Sequence, residues 1–261
     1  MINFLGRELP LYGLCWMIGI VLAFVVALLL IKRAGLDSFD LATSAMFTLG
    51  GVIIGAKLLF IIVSLRTIIE LKLSPLELIA GGFVFYGGLI GGALGLLLYT
   101  KIFKVKLLNI VDVYAAVIPL GHACGRVGCF LGGCCYGMKY DGLLSYTYSE
   151  GVLNASTPVG VPLFPVQLFE AGMLLLLFVP MLVLYFKKKP EQTGICGAVY
   201  LYAYAVIRFV LEYFRGDKER GSFLAFSTSQ IISLLIIAFV TVFIIVLRKK
   251  NKAKAVEVTQ Q

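Results

Sequence analysis

Uninterrupted apolar runs of about twenty residues recur along the chain, each long enough to cross a hydrocarbon layer about 30 Å thick as one helix. The expected spans are about Leu11–Ile31, Leu41–Ser64, Ile79–Tyr99, Leu107–Gly121, Pro165–Phe186, Gly194–Phe214 and Ser227–Leu247. The pattern predicts an all-α polytopic membrane protein with seven transmembrane helices. Charged residues make up 14% of the chain, against roughly 25% in an average soluble domain. With a mean hydropathy of +0.98, the chain is not a soluble globule. The first run is too long for a signal-peptide core and has no small-x-small cleavage site after it, so it reads as a retained helix.

The net charge of +9 could suggest nucleic acid, but its distribution argues against that partner. Basic residues gather at the ends of apolar runs. Lys32-Arg33, Lys101, Lys104 and Lys106, Lys187 to Lys189 and the tail after Leu247 all fall on one side of a seven-span chain. The positive-inside rule makes that side cytoplasmic, with the N-terminus outside and the C-terminus inside. The opposite side carries a thinner scatter: Arg7, Arg66, Lys72, Arg126, Lys139, Arg215, Lys218 and Arg220. One integral membrane domain is expected over 1–247, with an outer-face loop at about 122–164 and a basic cytoplasmic tail over 248–261.

Glycines recur in pairs, and Gly87, Gly91 and Gly95 share one helix face, as do Gly88 and Gly92. Small residues at that spacing permit close helix packing. They could equally let a lipid headgroup approach the backbone.

Ionisable residues inside apolar spans are costly and mark candidate sites. Here they are Lys57, Glu170, Arg208 and Glu212, with Arg126 at the end of the fourth span; Tyr204 lies one turn from Arg208, and Tyr86 is in the third span. The topology puts them all in the outer half of the bilayer. A structural network would pair Arg208 with Glu212 and Lys57 with Glu170. Arg126 and Arg208 also have the planar fork that suits a phosphate.

The stretch from Gly121 to Gly137 holds the only histidine, His122, and four of the six cysteines: Cys124, Cys129, Cys134 and Cys135. On an oxidising face these could form a disulfide, or one could be a thiolate activated by Arg126. They could also be plain buried residues, as expected for Cys15 and Cys196. Cys-x4-Cys-x4-Cys-Cys is not a zinc spacing, so no metal and no cofactor is expected. His122 could be structural or a proton acceptor.

Six motifs in order resemble the prolipoprotein diacylglyceryl transferase family. Leu11-Tyr12-Gly13-Leu14 is similar to its first-span opening, and Gly55-Ala56-Lys57 to its second-span motif with lysine replacing arginine. Phe85-Tyr86-Gly87-Gly88-Leu89-Ile90-Gly91 resembles its Phe-His-Gly-Gly-Leu-Ile-Gly. Gly125-Arg126-Val127-Gly128-Cys129-Phe130 resembles its Gly-Arg-x-Gly-Asn-Phe, and Pro165-Val166-Gln167-Leu168-Phe169-Glu170 its Pro-x-Gln-Leu-Tyr-Glu. Tyr204, Arg208, Glu212 and Arg215 match its Tyr-x-x-x-Arg-x-x-x-Glu-x-x-Arg helix.

The resemblance implies a multi-pass enzyme of the bacterial inner membrane. Its partners would be phosphatidylglycerol as donor, membrane lipids around it, and the lipobox cysteine of a prolipoprotein signal peptide as acceptor. Arg126, Arg208, Lys57, Gly87, Gly88, Gln167 and Glu170 would bind the phospholipid. Arg126, Arg208, Tyr204, Tyr86, His122 and Cys129 would carry the reaction. The chain departs from the family where Tyr86 stands for histidine, Cys129 for asparagine, and Gly132-Gly133-Cys134 for Asn-Gly-Glu. Two other readings accompany this one: a divergent paralogue lipidating another acceptor or forming a lipid–cysteine intermediate, and a non-catalytic thiol-redox or phospholipid-binding protein.

Overall fold

The computed structural model describes every residue except 1, 5–6, 10, 72–73, 75–76, 79–80, 150–153, 155, 218–221, 224–225 and 260–261. The fold is all-α, and seven of the described helices are long and apolar enough to cross a membrane. Large apolar side chains such as Leu29, Leu176 and Phe239 stand exposed on those helices, as a lipid-facing surface requires. The helices are α1 (Leu11–Ile31), α2 (Ser38–Val63), the short α3 (Leu65–Leu71), α4 (Phe85–Ile102), α5 (Leu107–Leu131), α6 (Val166–Lys187), α7 (Ile195–Leu211) and α8 (Thr228–Thr259). Three two-stranded antiparallel pairs join Ile2–Phe4 to Arg7–Leu9, Tyr146–Thr147 to Pro162–Leu163, and Ser222–Phe223 to Phe226–Ser227. The chain divides into two compact units, Leu28–Ile110 on one hand and Met1–Ala27 with Val111–Gln261 on the other.

In the Leu28–Ile110 unit, α2 begins three residues before the expected Leu41. Asp37 is its N-cap and accepts from the Asp40 N–H, while the Asp40 carboxylate accepts from the Asp37 N–H. That reciprocal capping box places Asp40 inside the first turn. The buried Tyr99 on α4 donates to Asp40 at 2.7 Å. The expected start of the third span at Ile79 lies outside the described residues, as do Pro75, Lys72, Lys218 and Arg220; regular helix begins at Phe85.

The glycine stripe proves to be a packing seam. A Cβ at Gly91 would overlap the Gly51 carbonyl oxygen, one at Gly55 the Gly87 carbonyl, and one at Gly95 the Phe47 carbonyl. The α2 and α4 backbones therefore touch directly, as close small-residue seams allow. Gly87 is thus committed to α2, and Gly88 packs against Val52 and Ala56.

In the other unit, α5 differs most from expectation. It was expected to end near Gly121, with the outer loop starting at about 122, because the apolar run gives way there to the Cys-rich stretch. Instead it runs 25 residues to Leu131. The glycines of that stretch are where α1 crosses: Gly121 packs on Gly19, Gly125 on the Trp16 indole and Gly128 on the Tyr12 backbone and Cys15. Tertiary packing outweighs local propensity, so Arg126 lies within a helix and the loop begins at Gly132. The stretch over 248–261, expected as a tail, continues α8 as far as Thr259.

Asp112, fully buried in α5, explains how a carboxylate survives in a span. Its Oδ1 accepts from the Cys196 and Gly197 N–H groups at 2.9 and 3.2 Å, and its Oδ2 from Gly194 N–H at 2.8 Å. Lys188, just past α6, forms an ion pair with it. The N-cap of α7 is Gly194, which has no side chain to cap with, so a neighbouring helix supplies the acceptor its orphan N–H groups need.

Two outcomes follow. Asp112→Ala should destabilise the detergent-solubilised protein by about 3 kcal/mol, read by denaturant titration, because it strands both Lys188 and the α7 N-terminus. Gly91→Ala should cost about 1–3 kcal/mol by overpacking the seam, whereas Gly50→Ala, where a Cβ meets open space, should be tolerated in the same assay.

Candidate functional site

On a helix of 3.6 residues per turn, His122, Arg126 and Cys129 fall on one stripe of α5, and Cys124 falls away from it. The extension of α5 to Leu131 is what makes this stripe continuous. Around it stand Glu170 on α6 and Tyr204 on α7.

Arg126 Nη2 lies 3.0 Å from Glu170 Oε1. It also donates to the Tyr204 hydroxyl at 3.5 Å, and that hydroxyl donates to Glu170 Oε1 at 3.1 Å. Three helices are closed by a triangle of charge and hydroxyl. Beside it Ala123, Ala171 and Leu174 form a buried core on which Val127 and Tyr204 pack. The Glu170 side chain is 1% exposed and that of Arg126 15%, so the pair sits at the boundary of the packed interior. Glu170, for which Lys57 was a candidate partner, is thus paired with Arg126.

Arg208, four residues beyond Tyr204, forms the expected ion pair with Glu212 at 2.6 Å. The same Nη2 also donates to Ser229 at the start of α8, at 3.1 Å. Both arginines lie within electrostatic range of His122 and of Tyr204. His122 stacks obliquely on Tyr204, ring centroids 4.9 Å apart, and its Nδ1 is 3.5 Å from the Tyr200 hydroxyl. Among the described residues, buried Arg126 Nε and Arg208 Nη1 have no hydrogen-bond partner. Most buried donors are paired, so these two guanidinium donors, both on arginines within electrostatic range of His122, are exceptions to that rule. Glu212 Oε2 is also without an aligned donor, despite its short ion-pair distance.

Beyond Arg126 the end of α5 is tied down carbonyl by carbonyl. Tyr148 donates to Phe130 O at 3.0 Å, Thr157 to Gly133 O at 2.7 Å and Gln167 to Cys134 O at 2.9 Å. The first satisfies an acceptor of the kind a helix C-terminus leaves open, and the other two anchor the loop that follows. Burial pushes the Tyr148 phenol up to about 12, so it remains a neutral donor. Gly133 (φ 74°) and Cys135 (φ 59°) turn the chain back through the left-handed region. The turn brings the Cys129, Cys134 and Cys135 sulfurs within 4.8 Å of one another. Hydrogen bonding from Cys129 and Cys134 and the nearby Arg215 guanidinium outweigh burial and hold the Cys135 thiol well below the usual range. Arg215 itself grips Asp217 through two hydrogen bonds of 2.9 and 2.6 Å.

The four-cysteine grouping expected from sequence is therefore three. Cys124 faces α1, where its electrostatic neighbour is Cys15, and none of the six cysteines is joined in a disulfide. Gln167, expected at the phospholipid, is 1% exposed and bonded to the loop. In the Leu28–Ile110 unit, Lys57 donates to the carbonyls of Leu78, Gly81 and Gly82 at 3.0, 2.9 and 3.2 Å. Its ammonium thus secures the segment before α4. Tyr86, 42% exposed, packs its ring edge-on against Phe85. Sequence reasoning missed Tyr200, Ser229 and Arg215. Tyr200 could have been found at i,i+4 from Tyr204, and Arg215 closes a motif already recognised. Ser229 carries no local signal.

A family model described as prolipoprotein diacylglyceryl transferase matches residues 1–246. Among curated proteins, a phosphatidylglycerol–prolipoprotein diacylglyceryl transferase of Clostridium tetani is 32% identical over 234 residues, covering 89% of this chain and 90% of the relative. A second such transferase from Clostridium perfringens is 31% identical over 89% of this chain and 88% of its own. One from Dehalococcoides mccartyi is 30% identical over 92% and 90%.

Tyr204→Phe removes the hydroxyl that links Arg126 to Glu170 and should cost about 2 kcal/mol, as for hydrogen bonds to charged groups. Combined with Glu170→Gln, the loss should be less than additive, because both changes dismantle one network; thermal unfolding in detergent measures the cycle.

Proposed function

Because the chain belongs to the prolipoprotein diacylglyceryl transferase family and is an enzyme of that kind, we propose that it moves a diacylglyceryl group from phosphatidylglycerol to the lipobox cysteine thiol of a prolipoprotein. The new bond joins the thiol sulfur to the glycerol carbon that carried the phosphate. The carbon–oxygen bond to that phosphate breaks, and glycerol phosphate leaves with the electron pair. The thiol proton passes to a base.

The observation that carries this reading is the pair of orphaned donors, Arg126 Nε and Arg208 Nη1. Phosphodiester oxygens are acceptors that guanidinium donors bind well, and donors already in place would stabilise the charge growing on the leaving phosphate. Glu170 holds the Arg126 fork in place, and Tyr204 completes the bracket. His122 is the proposed proton acceptor, oriented by the Tyr200 hydroxyl at 3.5 Å.

The proposed orientation has the N-terminus outside and the C-terminus in the cytoplasm of a bacterial inner membrane, following the charge bias. The arginines then lie in the outer half, at the depth of donor headgroups and of a precursor already exported. On this reading the loop after Leu131 is external.

Expression in cells depleted of their own transferase, with labelled phosphatidylglycerol, tests the assignment. The wild-type chain should restore a thioether-linked diacylglyceryl group on prolipoprotein. Arg126→Lys and Arg208→Lys keep the charge but lose the fork, and each should lower kcat/KM roughly 10²–10³-fold. A folded wild-type chain that lipidates no precursor would sink the proposal.

A further inference from the structure

The transfer proposed above, with His122 as proton acceptor, assigns no role to the thiol cluster at the end of α5, although Cys129 was an expected reaction residue. Cys129, Cys134 and Cys135 bring their sulfurs within 4.8 Å of one another, although only Cys129 belongs to the helix. Two features build this arrangement. The Cys134 N–H bonds back to Cys129 O at 3.1 Å, closing the turn. The left-handed backbone at Cys135, costly for a residue with a Cβ, then aims the second of two adjacent side chains toward the same point.

We propose that these three cysteines form a binding site for one thiophilic metal cation, Zn²⁺ or Cu⁺. Zinc–sulfur bonds of about 2.3 Å place tetrahedral ligand sulfurs about 3.8 Å apart, so the cluster needs only a small contraction of side chains. Three thiolates suit trigonal Cu⁺, or Zn²⁺ with a fourth position open. Each thiol releases its proton to solvent on binding, and no electron is transferred.

The surroundings fit a bound anionic cluster. Three thiolates around Zn²⁺ carry a net negative charge, and the Arg215 guanidinium lies within electrostatic range of Cys135. Arg126 lies within electrostatic range of both Cys129 and Cys135. Gln167 fixes the Cys134 carbonyl, and Gly216 N–H fixes the Tyr136 carbonyl at 3.0 Å, so the ligand-bearing loop is anchored on both flanks. A cavity of about 420 Å³, lined in part by Tyr136, Gly137, Lys139 and Arg215, adjoins the chain immediately after Cys135 and offers an approach. The bound ion would clip the loop to the helix one turn from Arg126.

The test uses the full chain, purified in detergent with a non-thiol reductant, and titrated separately with Zn²⁺ and with Cu⁺ delivered from a chromogenic chelator. One equivalent of one of the two should bind per chain. Co²⁺ as a probe should give a thiolate charge-transfer band. Cys129→Ser and Cys135→Ser should each weaken binding at least about 100-fold, whereas Cys124→Ser should bind as wild type does. The wild-type chain also gives a readout that needs no variant: added metal should protect Cys134 and Cys135 from iodoacetamide. Absence of stoichiometric binding, labelling unchanged by metal, or equal loss in Cys124→Ser would each overturn the site. None of these readouts depends on transferase activity.

Discussion

A guanidinium held inside an apolar helix bundle must be paired, and that requirement organises the larger unit. Arg126 sits on α5, and its counter-charge comes from α6 while the bridging hydroxyl comes from α7. Neither charge could be desolvated alone without a penalty of several kcal/mol. The pair therefore sets how three helices meet. It also leaves one face of the Arg126 fork free, since Glu170 engages Nη2 and Nε remains unsatisfied. In the proposed function, structural pairing and phosphate binding share this one side chain.

The same logic accounts for the other buried charges. Asp112 is neutralised by Lys188 and by the N-terminus of α7, and Arg208 by Glu212 with help from Ser229. Lys57 meets three backbone carbonyls. Where a charge is fully matched, it serves the fold. At Arg126 and Arg208 matching among the described residues is incomplete, and a donor is left over on each. This separates the residues that resemblance alone had grouped together, since Lys57, Gly87 and Gln167 are committed to packing or to loop anchoring.

Glycine works against the local reading in two different ways. Between α2 and α4 it permits carbonyl-to-backbone contact, and the periodic spacing announced that seam. In α5 glycine is unfavourable to helix locally, yet these glycines are the positions where α1 needs room. The cysteines show a similar gap. Linear spacing argues against a metal motif, but the turn at Gly133 and Cys135 converts adjacent residues into convergent ones.

What the sequence determined by itself is the number and approximate bounds of the apolar helices, the glycine seam, the Arg208–Glu212 pair and the family. All of these are encoded in runs, periods and short motifs, and so are local in the chain. What only the tertiary structure decided is which partner each buried charge takes, how far α5 extends, and which three of four cysteines converge. Those outcomes depend on contacts between residues far apart in sequence, where the cost of an unpaired charge or a steric overlap overrides local preference. Arg126 was recognisable from its motif; that Glu170 and Tyr204 hold it, with one donor left over, became visible only once the helices were packed.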